Sequence, residues 1–214
     1  MIRGRLVVSL VALGSVGGCA APGDAARDSS TDAVPENGSA PSDARPSGET
    51  RGPGELQSAW WSWAAGAPTG TNPVEDATGA HCRIGQPSSG IWFLAGTFGG
   101  SVKRRCTVPR GRALVVPAVN STGSEGDCAA FMEGAAGSVK LDGKQVGLER
   151  WPAVPITMKG VADNPVTLTE GTIETYGCGV WALIPSMPPG THTVSIRGSS
   201  GDFRVSADYG LTVE

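Results

Sequence analysis

The chain carries two histidines, His81 and His192, and five cysteines at positions 19, 82, 106, 128 and 178. A Ser–His–Asp site would have to use one of those imidazoles, and the sequence has no Gly-x-Ser-x-Gly elbow. His192 falls in phase with Val194 and Ile196, which predicts a histidine satisfied within the core. Glu125 and Asp127 stand two residues apart on a glycine-containing stretch, where carboxylates read as a solvated loop more readily than as the acid and nucleophile of a glycosidase. Asn72, Glu75, Asp76 and Thr78 are rich in oxygen but lack the alternating acidic register of a calcium loop. Neither a catalytic residue, a metal ligand nor a cofactor is therefore assigned. Two features suit binding instead. Lys103, Arg104 and Arg105, followed by Arg110 and Arg112, concentrate positive charge that would attract phosphate or carboxylate. The plainer reading is a solvated strand pair whose charges prevent edge pairing. Trp61 and Trp151, both expected off the core face, would offer ring faces for sugars.

The first cysteine stands apart from the rest. Arg3 and Arg5 precede an apolar run over residues 6–16, the length of a signal-peptide core and too short to span a bilayer. Val16-Gly17-Gly18-Cys19 follows, and it resembles the bacterial lipobox: an aliphatic residue, two small residues for the peptidase, and the thiol that receives a diacylglyceryl group. That resemblance implies a signal peptide over 1–18, lipid on Cys19, and an extracytoplasmic chain anchored to the cell membrane. In a diderm host, Ala20 in place of Asp points to the outer membrane. Two acyl chains would make the anchor durable where one would not. The four remaining cysteines, Cys82, Cys106, Cys128 and Cys178, are an even number in an oxidising compartment and predict two disulfides. Of three possible pairings, Cys82–Cys106 with Cys128–Cys178 is preferred, because the first ties a loop to the nearby segment after Trp92 and the second ties a weak helix to a core strand. Zinc is the rival use, but no Cys-x-x-Cys is present.

Residues 19–54 are dominated by Ala, Pro, Gly, Ser, Asp and Thr, which cannot bury enough surface to offset ordering entropy, so a disordered tether is expected. Residues 55–214 carry all six tryptophans of the 214-residue chain and are long enough for one cored domain. A net charge of −3 and a pI near 5.4 argue against a nucleic-acid partner. A mean hydropathy of −0.07 argues against a polytopic membrane protein.

The elements that must position these side chains are mostly strands. Leu56, Ala59, Trp60, Trp63 and Ala64 recur at helical spacing before Gly66 and Pro68, predicting one short helix, with Trp61 on its far side. Residues 91–98, Gly99-Gly100 and 101–108 read as a hairpin. Residues 113–119 form an aliphatic run broken by Pro117. Asp142-Gly143 between two short strands is the pair a type I′ turn prefers. Residues 125–136 admit a second short helix. Strict alternation at His192, Val194 and Ile196, and again from Phe203 to Val213, marks two half-buried closing strands. The expectation is an antiparallel β-sandwich with one or two short helices.

Trp61-Ser62-Trp63, Thr71-Asn72-Pro73, the run from Trp92 to Gly100, Cys106-Thr107-Val108-Pro109 and Pro189-Gly190-Thr191-His192 resemble a group of uncharacterised secreted bacterial proteins labelled only "signal protein". The resemblance implies a shared fold and export and no activity. The function expected is a surface-anchored lipoprotein acting as a non-catalytic module that binds cell-envelope polymer or protein. An envelope-acting hydrolase and a structural or assembly lipoprotein are the alternatives.

Overall fold

The computed structural model describes residues 51–214, so the signal peptide, Cys19 and nearly all of the tether lie outside the described residues. Helix α1 (Pro53–Ala64) opens the described chain. It has proline at its first position, where the missing N–H goes unneeded, and the Glu55 carboxylate accepts from the Gly52 amide at 3.2 Å. Asn72 closes the other end: its Nδ2 donates to Ala64 O and Ala67 O at 2.7 and 2.8 Å.

The nine strands among the described residues are β1 (Ile91–Phe93), β2 (Gly100–Val108), β3 (Ala113–Gly123), β4 (Ala136–Leu141), β5 (Lys144–Gln145), β6 (Glu149–Gly160), β7 (Gly171–Ile184), β8 (Gly190–Ser200) and β9 (Phe203–Val213), with α2 (Glu125–Gly134) between β3 and β4. They build the expected sandwich of a four-stranded sheet, β1-β3-β7-β6, and a five-stranded sheet, β2-β9-β8-β4-β5. Each sheet is antiparallel through its middle and takes one parallel strand at an edge: β1 beside β3, and β2 beside β9. The expected hairpin of residues 91–108 does not form, because β1 and β2 join different sheets. Gly99 and Gly100, with φ of 114° and 83°, carry the chain across, and β2 gains a nine-residue ladder with β9 that a local turn would forfeit. The Asp142-Gly143 turn forms as expected, with φ of 48° and 77° and Leu141 opposite Lys144.

Strand β3 explains why its sequence is a continuous apolar run: it is buried on both faces. Leu114 and Val116 enter the core between the sheets, where they meet Val139, Val194, Ile196 and Leu211, while Val115 turns outward beneath α1. Pro117 sits at a register shift, where it removes no needed ladder bond. The sheets pinch at Ala118, since a Cβ on Gly198 would lie 2.0 Å from Ala118 O and one on Gly137 would lie 2.6 Å from Ala118 Cβ. Outside the four-stranded sheet a second apolar cluster gathers Trp60, Trp61, Trp63, Phe93, Trp151 and Trp181 under α1. Trp60 packs edge-on against Trp181 at 5.7 Å between centroids. The same helix caps the sheet's edge: Ser58 Oγ accepts from the Thr157 amide and Ser62 Oγ from the Lys159 amide, both at 3.1 Å, satisfying N–H groups of β6 that have no strand beyond them.

Candidate functional site

Both expected disulfides form. Cys82–Cys106 fastens the loop after α1 to β2, and Cys128–Cys178 fastens α2 to β7. Chains closed over 24 and 50 residues gain on the order of 3–4 kcal/mol each in the chain-entropy account.

The basic trio does not act as one patch. Lys103 and Arg105 are exposed, but Arg104 between them is buried, at 2% exposure. Its Nε donates to Asp76 O at 2.5 Å, Nη2 to Val74 O at 2.9 Å, and Nη1 to Ala95 O, Gly96 O and the Tyr209 hydroxyl at 2.8, 2.9 and 2.6 Å. Burial pushes the Tyr209 phenol above its ordinary value against the pull of the Arg104 charge, so the ring keeps its proton and donates to Ala95 O at 2.8 Å. Arg104 thus ties two loops to β9 and is not a surface ligand residue. Period-two alternation carried the signal: Arg104 is in phase with Cys106 and Val108, both buried. Arg112 is likewise structural, its guanidinium donating to Ile91 O, Pro87 O and Ser88 O.

Neither tryptophan proposed as a sugar platform is available for that role. Trp151 is 4% exposed, stacks on Trp181 at 5.1 Å and donates Nε1 to Glu149 Oε2 at 3.0 Å. Trp61 is 8% exposed and lies edge-on against Trp60 at 5.0 Å. Expected off the core face, it packs instead in the same cluster as Val115 and Trp181 of the sheet, with Val74 and Val166 from flanking loops.

The titratable pairs serve local structure. His192 is satisfied, but at a half-buried surface corner and not within the core as expected, with Nδ1 2.8 Å from Asp142 Oδ2 and Nε2 3.0 Å from Pro188 O, because the end of β8 lies beyond the packed interior. The Asp142 hydrogen bond, then the Pro188 carbonyl, raise the imidazole above its usual value, and the same bond lowers Asp142. Asp127 caps α2, accepting from the Ser124 hydroxyl and amide at 2.7 and 2.9 Å, which hold its carboxyl below the usual range. Burial pushes Asp76 up, but amides of His81, Thr78 and Gly79 and the Thr78 hydroxyl outweigh it and hold the carboxylate low. Among the described residues no three His, Cys, Asp or Glu gather as a metal site.

What sequence reasoning missed is the outer face of the five-stranded sheet. Register places Lys103 beside Asp208, Asp208 beside Ser195, Ser195 beside Lys140 and Lys140 beside Gln145, one row across all five strands. At about 4.8 Å per strand the row spans roughly 19 Å. The row before it is Ser101, Ser206, Arg197 and Ser138. Asp208 is the one acid in these two rows, and Arg197 already holds it through Nη1 at 2.9 Å and Nη2 at 3.1 Å. That leaves Lys103, Arg105, Lys140 and Arg204 as the further cations of the face. An open trough of about 490 Å³ runs along one end, lined by Ser101, Ser138, Ser199 and Ser206 with Arg197 and Arg204. The signal lay in the alternation of β8 and β9, whose apolar phase was read while the serines and arginines of the other phase were not.

No protein-family model matches the sequence, and no curated protein matches it. Among solved structures, a family 123 glycoside hydrolase from Clostridium perfringens, described for glycolipid glycan hydrolysis, is similar at 12% identity and a TM-score of 0.23. The likeness covers 52% of this chain and 23% of that one, so the chain spans less than a quarter of the hydrolase's length. Likeness at that level transfers neither fold nor chemistry.

The sheet face has its own chemistry. Serine hydroxyls donate and accept, matching polyol or phosphate oxygens, and guanidinium forks bind phosphate or carboxylate in two-point geometry. A flat face with spaced cations suits an extended polyanion more than a small enclosed ligand.

Proposed function

We propose that the chain is a surface-displayed lipoprotein, anchored through acylated Cys19, whose domain binds an anionic, hydroxyl-rich envelope polymer along the outer face of the five-stranded sheet without transforming it. The observation that carries this reading is the concentration of Lys103, Arg105, Lys140, Arg197 and Arg204 around serine rows with one acid among them, on a chain of net charge −3. A non-catalytic role is supported by His192 and Asp127, whose polar atoms are turned to local partners.

Retention of the full chain on purified cell-wall polymer, at low and at high salt, tests it. The expected outcome is retention at low salt that falls steeply as screening grows. Lys103→Glu with Arg105→Glu should abolish it, and Arg104→Glu would be uninformative because it breaks the fold. Retention that ignores both salt and the double variant would refute the charged face. Cys19→Ala should release the protein from membranes, and a variant still held as firmly as wild type after salt washing would refute the anchor.

A further inference from the structure

The end of the five-stranded sheet nearest the β8–β9 turn gathers exposed polar groups that the fold leaves without partners. Arg204 is exposed and lines the open trough of about 490 Å³. Its Nη1 donates to the main-chain carbonyls of Gly201, in the turn, and of Phe203, the latter at 2.9 Å. Those bonds hold the guanidinium in place and leave Nε and Nη2, the edge that offers two parallel N–H groups, unpaired among the described residues. Asp202, the acid nearest in sequence, makes no bond to it. Arg197 lines the same trough but spends its fork on Asp208. Register sets Ser199 beside Arg204, Ser206 one row further along β9, and Ser101 beside Ser206. With Ser138 these serines line the trough, and none of the four hydroxyls has a hydrogen-bond partner among the described residues. One free guanidinium fork and four free hydroxyls thus surround a single open space.

We propose that this trough binds the phosphodiester group of a polyol-phosphate chain, the Arg204 fork taking its two charged oxygens and the serines of β8, β9 and β2 its remaining acceptor positions. That the diester belongs to an envelope polymer rests on the preceding proposal; the preference for a phosphodiester stands on the trough alone. A carboxylate is planar and accepts best within its plane, so a fork that fills its two outward lone pairs leaves little for hydroxyls standing on three neighbouring strands. A phosphodiester is tetrahedral, and its charged and ester oxygens face several directions at once. It also carries its charge within the chain and not on a ring substituent, so the polymer can enter the open trough at one end and leave at the other. Phospholipid headgroups hold the same diester, but none of the large exposed apolar side chains lines this trough to enter a bilayer beside it.

Dimethyl phosphate and acetate, two monoanions that differ in shape, provide the test when titrated separately into the full chain. The Nε–H resonance of Arg204, assigned by its loss in Arg204→Lys, should move saturably with millimolar dimethyl phosphate, together with the amides of Ser199 and Ser206. Acetate should bind about tenfold more weakly, the worth of one hydrogen bond. Arg204→Lys keeps the charge without the fork and should abolish the response of those two amides. Ser199→Ala with Ser206→Ala leaves the turn bonds of Arg204 in place; it should weaken dimethyl phosphate roughly tenfold and leave acetate unchanged. Acetate binding as tightly as dimethyl phosphate, no saturable shift with either, or a serine pair that binds dimethyl phosphate like wild type would overturn the proposal. The full chain carrying Cys19→Ala should be retained on a polyol-phosphate polymer ahead of phosphatidylglycerol vesicles, and the reverse order would overturn the polymer as the source of the diester. Lys103 and Arg105 stand two and three rows from Arg204, about 14 Å or more. At about 0.15 M salt, where screening acts beyond about 8 Å, Lys103→Glu with Arg105→Glu should remove polymer retention and leave dimethyl phosphate binding unchanged, so failure of the charged face and failure of the diester site read out separately.

Discussion

The two sheets solve opposite problems on their outer faces. On the four-stranded sheet that face is apolar, and α1 with its tryptophans covers it; Trp181, fully buried, is the centre against which Trp60 and Trp151 both pack. On the five-stranded sheet it is polar and, among the described residues, uncovered, with serines and cations in register from strand to strand. Aromatic side chains that look like a ligand platform are therefore consumed as cover, and the exposed cations and hydroxyls lie on the face that needs none. The contrast extends to the edges. Serines of α1 close β6, whereas β2 is sealed by backbone, with the Arg105 amide donating to Thr78 O at 2.8 Å.

The strongest way to break this comparison is to attack each face in turn. Trp181→Ala should cost about 3–5 kcal/mol, since it empties the middle of the covered face, and urea unfolding would read it as a lower midpoint. Lys103→Glu with Arg105→Glu should stay within about 0.5 kcal/mol of wild type per residue, because exposed positions touch no packing. A charge pair as destabilising as Trp181→Ala would mean that the bare face is structural after all. A smaller effect is expected from Ser58→Ala with Ser62→Ala. Each removes one partly exposed hydrogen bond, worth about 0.5–1.5 kcal/mol at most. The freed N–H groups of β6 should also promote association at high protein concentration, visible by light scattering. A fully monomeric, equally stable double variant would show that α1 does not guard that edge.

The division between faces also governs what was legible in the sequence. The closing strands, the Asp142-Gly143 turn and α2 could be read because each is a local pattern, and the disulfides because an even set of cysteines lies on elements whose tying together is plausible. The pairing of β2 with β9 could not, since residues a hundred positions apart compete there with a glycine turn that looks local. Arg104 was hidden by its neighbours: three consecutive cations read as a patch, although a strand must send the middle one to the opposite side. Trp61 was hidden for a different reason. The helical wheel set it off the core face, but helical periodicity is silent about loops that fold back over the helix, as those bearing Val74 and Val166 do, and the structure buries it with them. The serine and arginine rows of β8 and β9 were plain in the sequence and become one continuous surface only once register lines them up across strands.

The smallest expected effect sharpens the comparison through pH. The covered face is held by apolar packing, whereas the bare sheet is fastened at one corner by the His192–Asp142 pair, linking the β4–β5 turn to β8. Asp142 also accepts from the Thr193 amide at 2.7 Å. Because the folded imidazole is raised, first by the Asp142 hydrogen bond, its contribution is complete below the unfolded value of about 6.5 and is lost as pH rises through the higher folded value. Because the folded Asp142 carboxyl is lowered, first by the His192 hydrogen bond, its contribution is present above about 3.9 and is lost as pH falls through the lower folded value. The clasp is therefore strongest between roughly pH 4 and 6.5 and loosens above the imidazole's titration. As an exposed pair it should contribute no more than about 1 kcal/mol. Amide exchange should locate the effect: protection in β4, β5 and the start of β8 should fall as pH rises through the imidazole's range, after correction for intrinsic rates, while protection in β7 stays level. Asp142→Asn suits the same positive-φ turn and removes only the charge, so it should flatten that dependence without undoing the hairpin. If protection in β7 fell in parallel, the sheets would be opening together, and the two faces could not be treated as separately fastened.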